Sequence, residues 1–391
     1  MRMKKLMILA AVAAIAATAC TKTFEVEPTP GTAIGFGTWA NTLTKTSHAA
    51  GSRNTAFTNG ETFDVFGFKT INTTDFGVFV GDDVSYNSTT QAWSYAPLRF
   101  WDPAATSYTF FAILPSGKLK NETTSGYETT GAFQTIDLEF SVPTALTNDI
   151  LVADKTLRGK DAGVFPTSEV ALAFNHMASS VDLKVKKDAA LHDAVVTVTA
   201  LDLVNISNKR KFTIEYGTVA PNVNKPIPTW SDAETTGTMG TAGVYPVLDG
   251  ESSGDDITVT AETTYNADYS RNEGSSSGDY AGSAPLFSDY VLMPQTLEAG
   301  NQKIRLSYTI KVGDEVAANT YNNVEIDIRD FFATDAKLNK NTDGSALNDR
   351  ITAWEYGKHY TYYITIGANA INFTASVNDW DNVTGYHYLV K

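Results

Sequence analysis

The chain has 391 residues, of which 42% are hydrophobic and 19% are charged, a composition that excludes general disorder and suits two or three folded domains. The formal net charge is −14. Removal of the N-terminal signal peptide, which holds three of the 30 basic residues and none of the 44 acidic ones, makes it −17. This negative charge disfavours nucleic acid as a partner. A single cysteine excludes a disulfide within the chain. With 18 Tyr, 20 Phe and many Thr, Val, Asn and Gly residues, the composition predicts an all-β fold with few short helices.

Residues 1–19 have the pattern of a bacterial lipoprotein signal peptide. Basic residues precede an apolar run from Leu6 to Ala17, which is shorter than the roughly 20 residues that a membrane-spanning helix needs. Small residues then lead to Cys20, as in the lipobox, where a peptidase cuts before a lipid-modified cysteine. Because Cys20 is the only cysteine, we predict that it carries alkyl chains that anchor the protein in a membrane. The alternative is an ordinary cleavage site beside a chance cysteine.

Residues 20–53 are predicted to form an N-terminal propeptide. The segment is polar and rich in turn residues, except for one isolated strand-like piece that contains Ile34, Phe36 and Trp39. A stretch of small residues then ends at Arg53, which makes Arg53 a candidate protease cleavage site. Lys45 would be the cut site for a protease of looser specificity. The alternative interpretation of Arg53 is an ordinary solvated side chain.

Short runs of alternating apolar and polar residues fill the rest of the chain, which is typical of β-sandwiches. We predict one sandwich over residues 54–185 and a second over residues 186–391, with residues 231–285 as a long surface excursion rich in Ser, Gly, Thr, Asp and Glu. The clearest alternation runs from Lys303 to Val312. Other examples are Phe63/Val65, Phe76/Val78/Val80, Tyr108/Phe110/Ala112/Leu114, Val170/Leu172/Phe174 and Val181/Leu183/Val185.

No pattern in the sequence favours catalysis, a metal ion or another cofactor. Ser276 lies in a G-x-S-x-G pattern, but its polar flanks lack the strand and helix that a nucleophile elbow requires. The five histidines have no zinc-ligand spacing, and His176 is expected to be a packed or capping residue. The sequence therefore predicts a protein that is not an enzyme, without catalytic residues, metal or cofactor.

Taken together, the ordered motifs resemble those of the fimbrillin family, the FimA-like and Mfa-like subunits of type V pili of Bacteroidia. The resemblance covers essentially the whole chain. The motifs are the lipobox, Ile34-Gly35-Phe36, Phe57-x-x-Gly60-Glu61-x-Phe63-x-Val65, Tyr108 to Pro115, Asp149 to Ala153, Val170-x-Leu172-x-Phe174-x-His176, and Ile371-x-Phe373-x-x-x-Val377-x-x-Trp380.

The resemblance implies two tandem transthyretin-like β-sandwich domains and a lipoprotein precursor on the outer membrane. It also implies that an Arg-specific surface protease removes the N-terminal segment, after which subunits join into a fimbria by donor-strand exchange. A sandwich that lacks one strand leaves an edge that must be covered. The strand-like piece with Ile34, Phe36 and Trp39, which we call the leader strand, would cover it before cleavage. Tyr386, Tyr388 and Val390 alternate suitably for the donor, whereas pairing of this segment within its own sheet is the rival interpretation.

Two other functions fit the same residues. A tip or accessory adhesin would keep the fold and bind host or bacterial surface ligands through its loops. A lipid-anchored surface glycan-binding protein would keep both Cys20 and the leader strand permanently. The N-terminus of the mature protein distinguishes a shaft subunit, which begins after Arg53, from a permanently anchored protein, which begins at Cys20.

Overall fold

The computed structural model describes most of the chain between residues 32 and 389. The described residues are 32–40, 57, 59–117, 136–141, 149–207, 209–230, 243–248, 256–259, 262–263, 284–314, 317–330, 351–367, 371–379 and 388–389. Their regular structure is almost entirely β, with short 3-10 helices at Ala189–Leu191 and Ile328–Asp330, which confirms the predicted all-β class. Within these ranges, no helix is long and apolar enough to cross a membrane.

Nine strands precede residue 177. They are β1 (Phe36–Ala40), β2 (Thr62–Ile71), β3 (Thr74–Asn87), β4 (Ala92–Ser94), β5 (Ser107–Leu114), β6 (Ile136–Ser141), β7 (Leu151–Ala153), β8 (Thr156–Gly159) and β9 (Val170–His176).

Fifteen more strands follow. They are β10 (Ser179–Asp188), β11 (Ala194–Ile206), β12 (Lys209–Tyr216), β13 (Pro226–Trp230), β14 (Gly243–Leu248), β15 (Ile257–Val259), β16 (Glu262–Thr263), β17 (Ala284–Leu292), β18 (Gln295–Thr296), β19 (Lys303–Val312), β20 (Asn319–Asp327), β21 (Ala353–Trp354), β22 (Lys358–Ile366), β23 (Ile371–Asp379) and β24 (Tyr388–Leu389).

The first eight-stranded sheet has the order β1-β9-β7-β5-β2-β3-β4, and β8 also pairs with β5. Strand β1 contacts β4, at the opposite end of this order, so the sheet curls around one interior. Its buried side chains form a cluster that we call the first core. The first core includes Ile34, Phe36, Phe63, Phe79, Phe110, Leu172 and Phe174.

The outer face of the same sheet is also covered. Strand β12 lies between β6 and β13 in a three-stranded sheet. Phe212 and Ile214 from β12 pack with Phe66, Phe111 and Ile113 from the first sheet in a second apolar cluster. The central strand β5 is therefore buried on both faces, which explains its nearly continuous apolar run.

The second half of the chain forms a two-sheet sandwich. One sheet has the order β16-β10-β22-β23-β24, with β17 also paired to β10, and the other has the order β14-β11-β19-β20, with β15 also paired to β11. The alternation predicted for β19 is confirmed for Ile304, Leu306, Tyr308 and Ile310, whose exposed fractions are all 5% or less. These side chains belong to the core between the two sheets.

The prediction of a surface excursion at residues 231–285 is wrong for its described parts. Strand β14 pairs with β11, β15 pairs with β11 at Val259↔Val196, and β16 pairs with β10. Val259 is only 2% exposed. The short apolar runs of β14 and β15 are separated by long polar stretches, so the polar composition of the whole segment hid them. The proposed division at residues 185/186 stays a prediction, and the pairing of β6 with β12 crosses it.

Candidate functional site

The leader segment, residues 32–40, completes the edge of the first sheet. Strand β1 runs parallel to β9, with Cα partners from Phe36↔Val170 to Ala40↔Phe174. The backbone N–H of Val170 also donates to the carbonyl of Gly35 at 2.8 Å. The predicted strand-like piece is thus a strand over Phe36–Ala40, preceded by an isolated bridge at Ala33.

Two leader side chains are integral to the first core. Ile34 is 1% exposed and Phe36 is 2% exposed. The Phe36 ring makes edge-to-face contacts with Phe79 and Phe110, at centroid distances of 5.2 and 5.9 Å. Trp39 lies in β1, but its side chain is outside the described part of the molecule. The leader therefore contributes apolar area as well as backbone hydrogen bonds.

Residues 95–101, which we call the strap, hold the other side of the leader. The Ile34 N–H donates to the carbonyl of Arg99 at 2.8 Å, and the Trp101 N–H donates to the carbonyl of Thr32 at 3.2 Å. The Tyr95 hydroxyl donates to the carbonyl of Ile34 at 2.6 Å. The leader consequently lies in a groove with the β9 backbone on one side and the strap on the other.

The strap is a feature that sequence reasoning missed. Its residues do not alternate, and Pro97 marks a turn and not a strand. The only signal was the density of aromatic residues at Trp93, Tyr95 and Trp101, which pack onto or beside the first core.

The predicted donor segment lies partly within the described residues. Tyr388 and Leu389 form β24, which pairs antiparallel with Ala375 and Thr374 of β23 at the edge of the second sandwich. This is the intramolecular pairing that we considered as the rival interpretation. Tyr386 and Val390 lie outside the described residues.

Cys20 and Arg53 also lie outside the described residues. Lipid attachment at Cys20 and cleavage at Arg53 therefore stay predictions that rest on the sequence. The described leader ends at residue 40, on the N-terminal side of Arg53, so a cut there would separate the leader from β2.

The described part of the chain contains no metal-ligand cluster. No cluster of three or more His, Cys, Asp or Glu side chains in the described ranges could hold a metal ion. His176 is 4% exposed and its Nδ1 contacts the Asp149 carboxylate, which agrees with the expected packed role.

One carboxyl pair has a perturbed environment. Asp64 on β2 lies directly opposite Asp83 on β3, and Asp64 is 7% exposed. The Gly117 N–H donates to Oδ2 of Asp64 at 2.7 Å. Burial raises the pKa of Asp64 to about 6, and Asp83 adds to the rise while the Gly117 hydrogen bond opposes it.

The fold and the groove define a class, namely all-β proteins in which an N-terminal strand completes the first core. The chain belongs to the Fimbrillin-like family, whose model matches residues 44–380. This is a family of structural fimbrial and adhesion proteins, which confirms the family resemblance and the prediction that the chain is not an enzyme.

A solved structure of a fimbrial protein shares the fold. A fimbrial protein from Bacteroides vulgatus is 19% identical with a TM-score of 0.54, and the match covers 89% of this chain and 99% of that one. A cell adhesion protein from Bacteroides uniformis is 16% identical with a TM-score of 0.46, over 89% of this chain and 99% of that one. Comparison with the curated proteins gives no match.

Proposed function

We propose that the chain is a structural subunit of a cell-surface fimbria that assembles with other fimbrial subunits. In this proposal the precursor is lipidated at Cys20 and held at the outer membrane, and an Arg-specific protease cuts after Arg53. The leader segment then leaves its groove, and a strand from a neighbouring subunit takes its place. Family membership supports the fimbrial role, and the leader geometry supports the exchange step.

The position of the leader is the observation that carries this proposal. The leader segment ends at Ala40, well before β2 begins at Thr62, yet it supplies Ile34 and Phe36 to the first core. Burying two such side chains stabilises a fold by roughly 3–6 kcal/mol in total. A subunit that lost them would expose an apolar groove and the unpaired backbone of β9, so a replacement strand is needed.

The C-terminal residues are the proposed donor. Within the described residues, β24 makes two residue pairs with β23, fewer than the five that β1 makes with β9, so breaking those two pairs costs less than filling the groove gains. Tyr386, Tyr388 and Val390 occupy alternate positions, so as a strand they would present three large side chains to a groove lined by the first core. A donor at one end and a groove at the other form a heterologous contact that does not close on itself, and such contacts produce filaments.

Polymerisation in vitro tests the proposal. A soluble precursor that begins at Thr21 is treated with an Arg-specific protease and examined for ladders on denaturing gels and for filaments by electron microscopy. We expect both to appear, and to vanish with Arg53→Ala or with deletion of residues 386–391. Filaments that persist in the deletion variant would refute the donor assignment. A cell-surface form that begins only at Cys20 would refute the cleavage step.

A tip or accessory adhesin is the second candidate, and one observation favours it. The end of the chain pairs with its own sheet through β24, as expected of a subunit that donates no strand. In the same assay, such a subunit would be cut and accept a donor from a shaft subunit, but would form no polymer alone.

A further inference from the structure

We propose that Tyr95 retains the leader segment in its groove after the chain has been cut, and so sets the rate at which the leader leaves. The inference deepens the proposed function, because it concerns the step between cleavage and strand exchange. It rests on the geometry of the strap.

Tyr95 contacts the leader in two ways. Its hydroxyl donates to the carbonyl of Ile34 at 2.6 Å and accepts the N–H of Arg99 at 3.2 Å, so it bridges the leader and the strap. Its ring packs edge-to-face on Phe36, with a centroid distance of 5.7 Å. Burial raises the pKa of Tyr95, so the hydroxyl remains a donor throughout the neutral range.

The strap itself is fastened to β3 by the side chain of Arg99. Its Nε donates to the carbonyl of Val78 at 3.2 Å, and its Nη2 lies 3.3 Å from a carboxylate oxygen of Asp82. Its Nη1 donates to the carbonyl of Pro97 at 3.2 Å, within the strap. The strap therefore cannot swing away from the leader without breaking charged hydrogen bonds.

Cleavage after Arg53 breaks none of these contacts. The leader would remain bound to β9 through β1 and to the strap through Thr32 and Ile34. Backbone contacts of this kind are satisfied equally by any strand that enters the groove. Among the hydrogen bonds described for residues 32–40, the bond from Tyr95 is the one that a side chain makes, and it can be removed without altering the backbone.

A dissociation experiment tests the inference on the monomer. The full chain from Thr21 carries a dye at its N-terminus and a site for a sequence-specific protease inserted between Thr46 and Ser47. After cutting, excess unlabelled leader peptide is added and loss of the dye from the protein is followed by fluorescence anisotropy. The variants are Tyr95→Phe and Arg99→Met. The matched control is Tyr360→Phe, which removes the hydroxyl that accepts the N–H of Glu355 at 2.8 Å in the second sandwich.

We expect the cut wild-type protein to retain its leader and the control to match it within about twofold. Tyr95→Phe should release the leader about tenfold faster, the factor that corresponds to about 1.4 kcal/mol. Arg99→Met should also release it faster, because the strap is loosened. A Tyr95→Phe rate equal to that of Tyr360→Phe would overturn the inference, as would a wild-type leader that leaves as soon as the chain is cut.

The assay involves no second subunit, so its outcome is separate from that of the polymerisation test. Filaments that form normally from a protein in which Tyr95→Phe has no effect on release would refute the role of Tyr95 and leave the fimbrial proposal intact. Slow release governed by Tyr95 in a protein that never polymerises would support the role of Tyr95 and refute the fimbrial proposal.

Discussion

Replacing Phe36 by alanine should destabilise the first core. The side chain is 2% exposed and lies against Phe63, Phe79, Tyr95 and Phe110. Replacing a buried phenylalanine by alanine removes its transfer free energy and leaves a cavity, and typically costs about 3–5 kcal/mol. The rings around this site come from several strands and are fixed by their own packing, so the cavity cannot close easily and we expect a loss within this range.

Hydrogen exchange followed by mass spectrometry locates that loss in the molecule. If Phe36→Ala destabilises the leader and the edge that it covers, amides of β9 should exchange at least about 100-fold faster, because each 1.4 kcal/mol corresponds to a factor of ten. Amides of β19 in the second sandwich should change little. The matched control is Phe76→Ala, since Phe76 is 46% exposed in the same sheet and its truncation should leave β9 protected.

Unchanged protection of β9 in Phe36→Ala would contradict this prediction. It would mean that the leader contributes no stability to the first sheet, and that the groove needs no occupant. Equal losses in Phe36→Ala and Phe76→Ala would also contradict it, because burial would then not decide the effect.

Two further predictions concern β2. The raised pKa of Asp64 means that the folded state binds more protons than the unfolded state, so stability should fall as pH rises from about 4 to about 6. Asp64→Asn should remove this fall and stabilise the protein at pH 7 by about 2 kcal/mol. This is less than the full pKa shift would represent, because Asp83 is exposed and solvent screens its part of the shift. Urea unfolding at pH 4 and at pH 7 measures the effect, and parallel pH profiles of the variant and the wild type would contradict it. Gly67→Ala should destabilise by about 1–3 kcal/mol, because a Cβ there would lie 2.8 Å from ring carbons of Phe110; a melting temperature equal to that of the wild type would contradict this.

Local patterning predicted the strands that have one buried and one exposed face. In β19 the alternation of Ile304, Leu306 and Tyr308 is the pattern of burial in the structure. The isolated run around Ile34 and Phe36 was identified as a strand for the same reason, since two large apolar side chains two residues apart in a polar segment must face an interior.

Alternation misled where the sheet is irregular. Phe76, Val78 and Val80 form an alternating set, but Phe76 and Val80 are each 46% exposed and Phe79 is the fully buried residue. The β2–β3 pairing shifts register twice, and Gly81 has a φ of +79° beside one of these shifts. Bulges change which face a residue occupies, and their positions depend on the partner strand.

Long-range pairing could not be predicted at all. Strand β12 covers the outer face of the first sheet with Phe212 and Ile214, although it follows β11 of the second sandwich. The strap is positioned by Arg99 and by the Tyr95 hydroxyl, and both act on partners distant in sequence. Such contacts follow from tertiary packing and leave no periodic signal in the chain.

Site-directed disulfide formation can show whether a neighbouring subunit fills the groove, because the chain has no cysteine after Cys20. In a background of Cys20→Ser, one preparation carries Ala171→Cys, at the position that pairs with Gly37 of the leader, and a second carries His387→Cys or Leu389→Cys. After cleavage, mixing and mild oxidation, we expect a disulfide between residue 171 of one molecule and the C-terminal segment of another, and none before cleavage. Leader loss without any such cross-link would contradict the claim that a neighbouring subunit fills the groove.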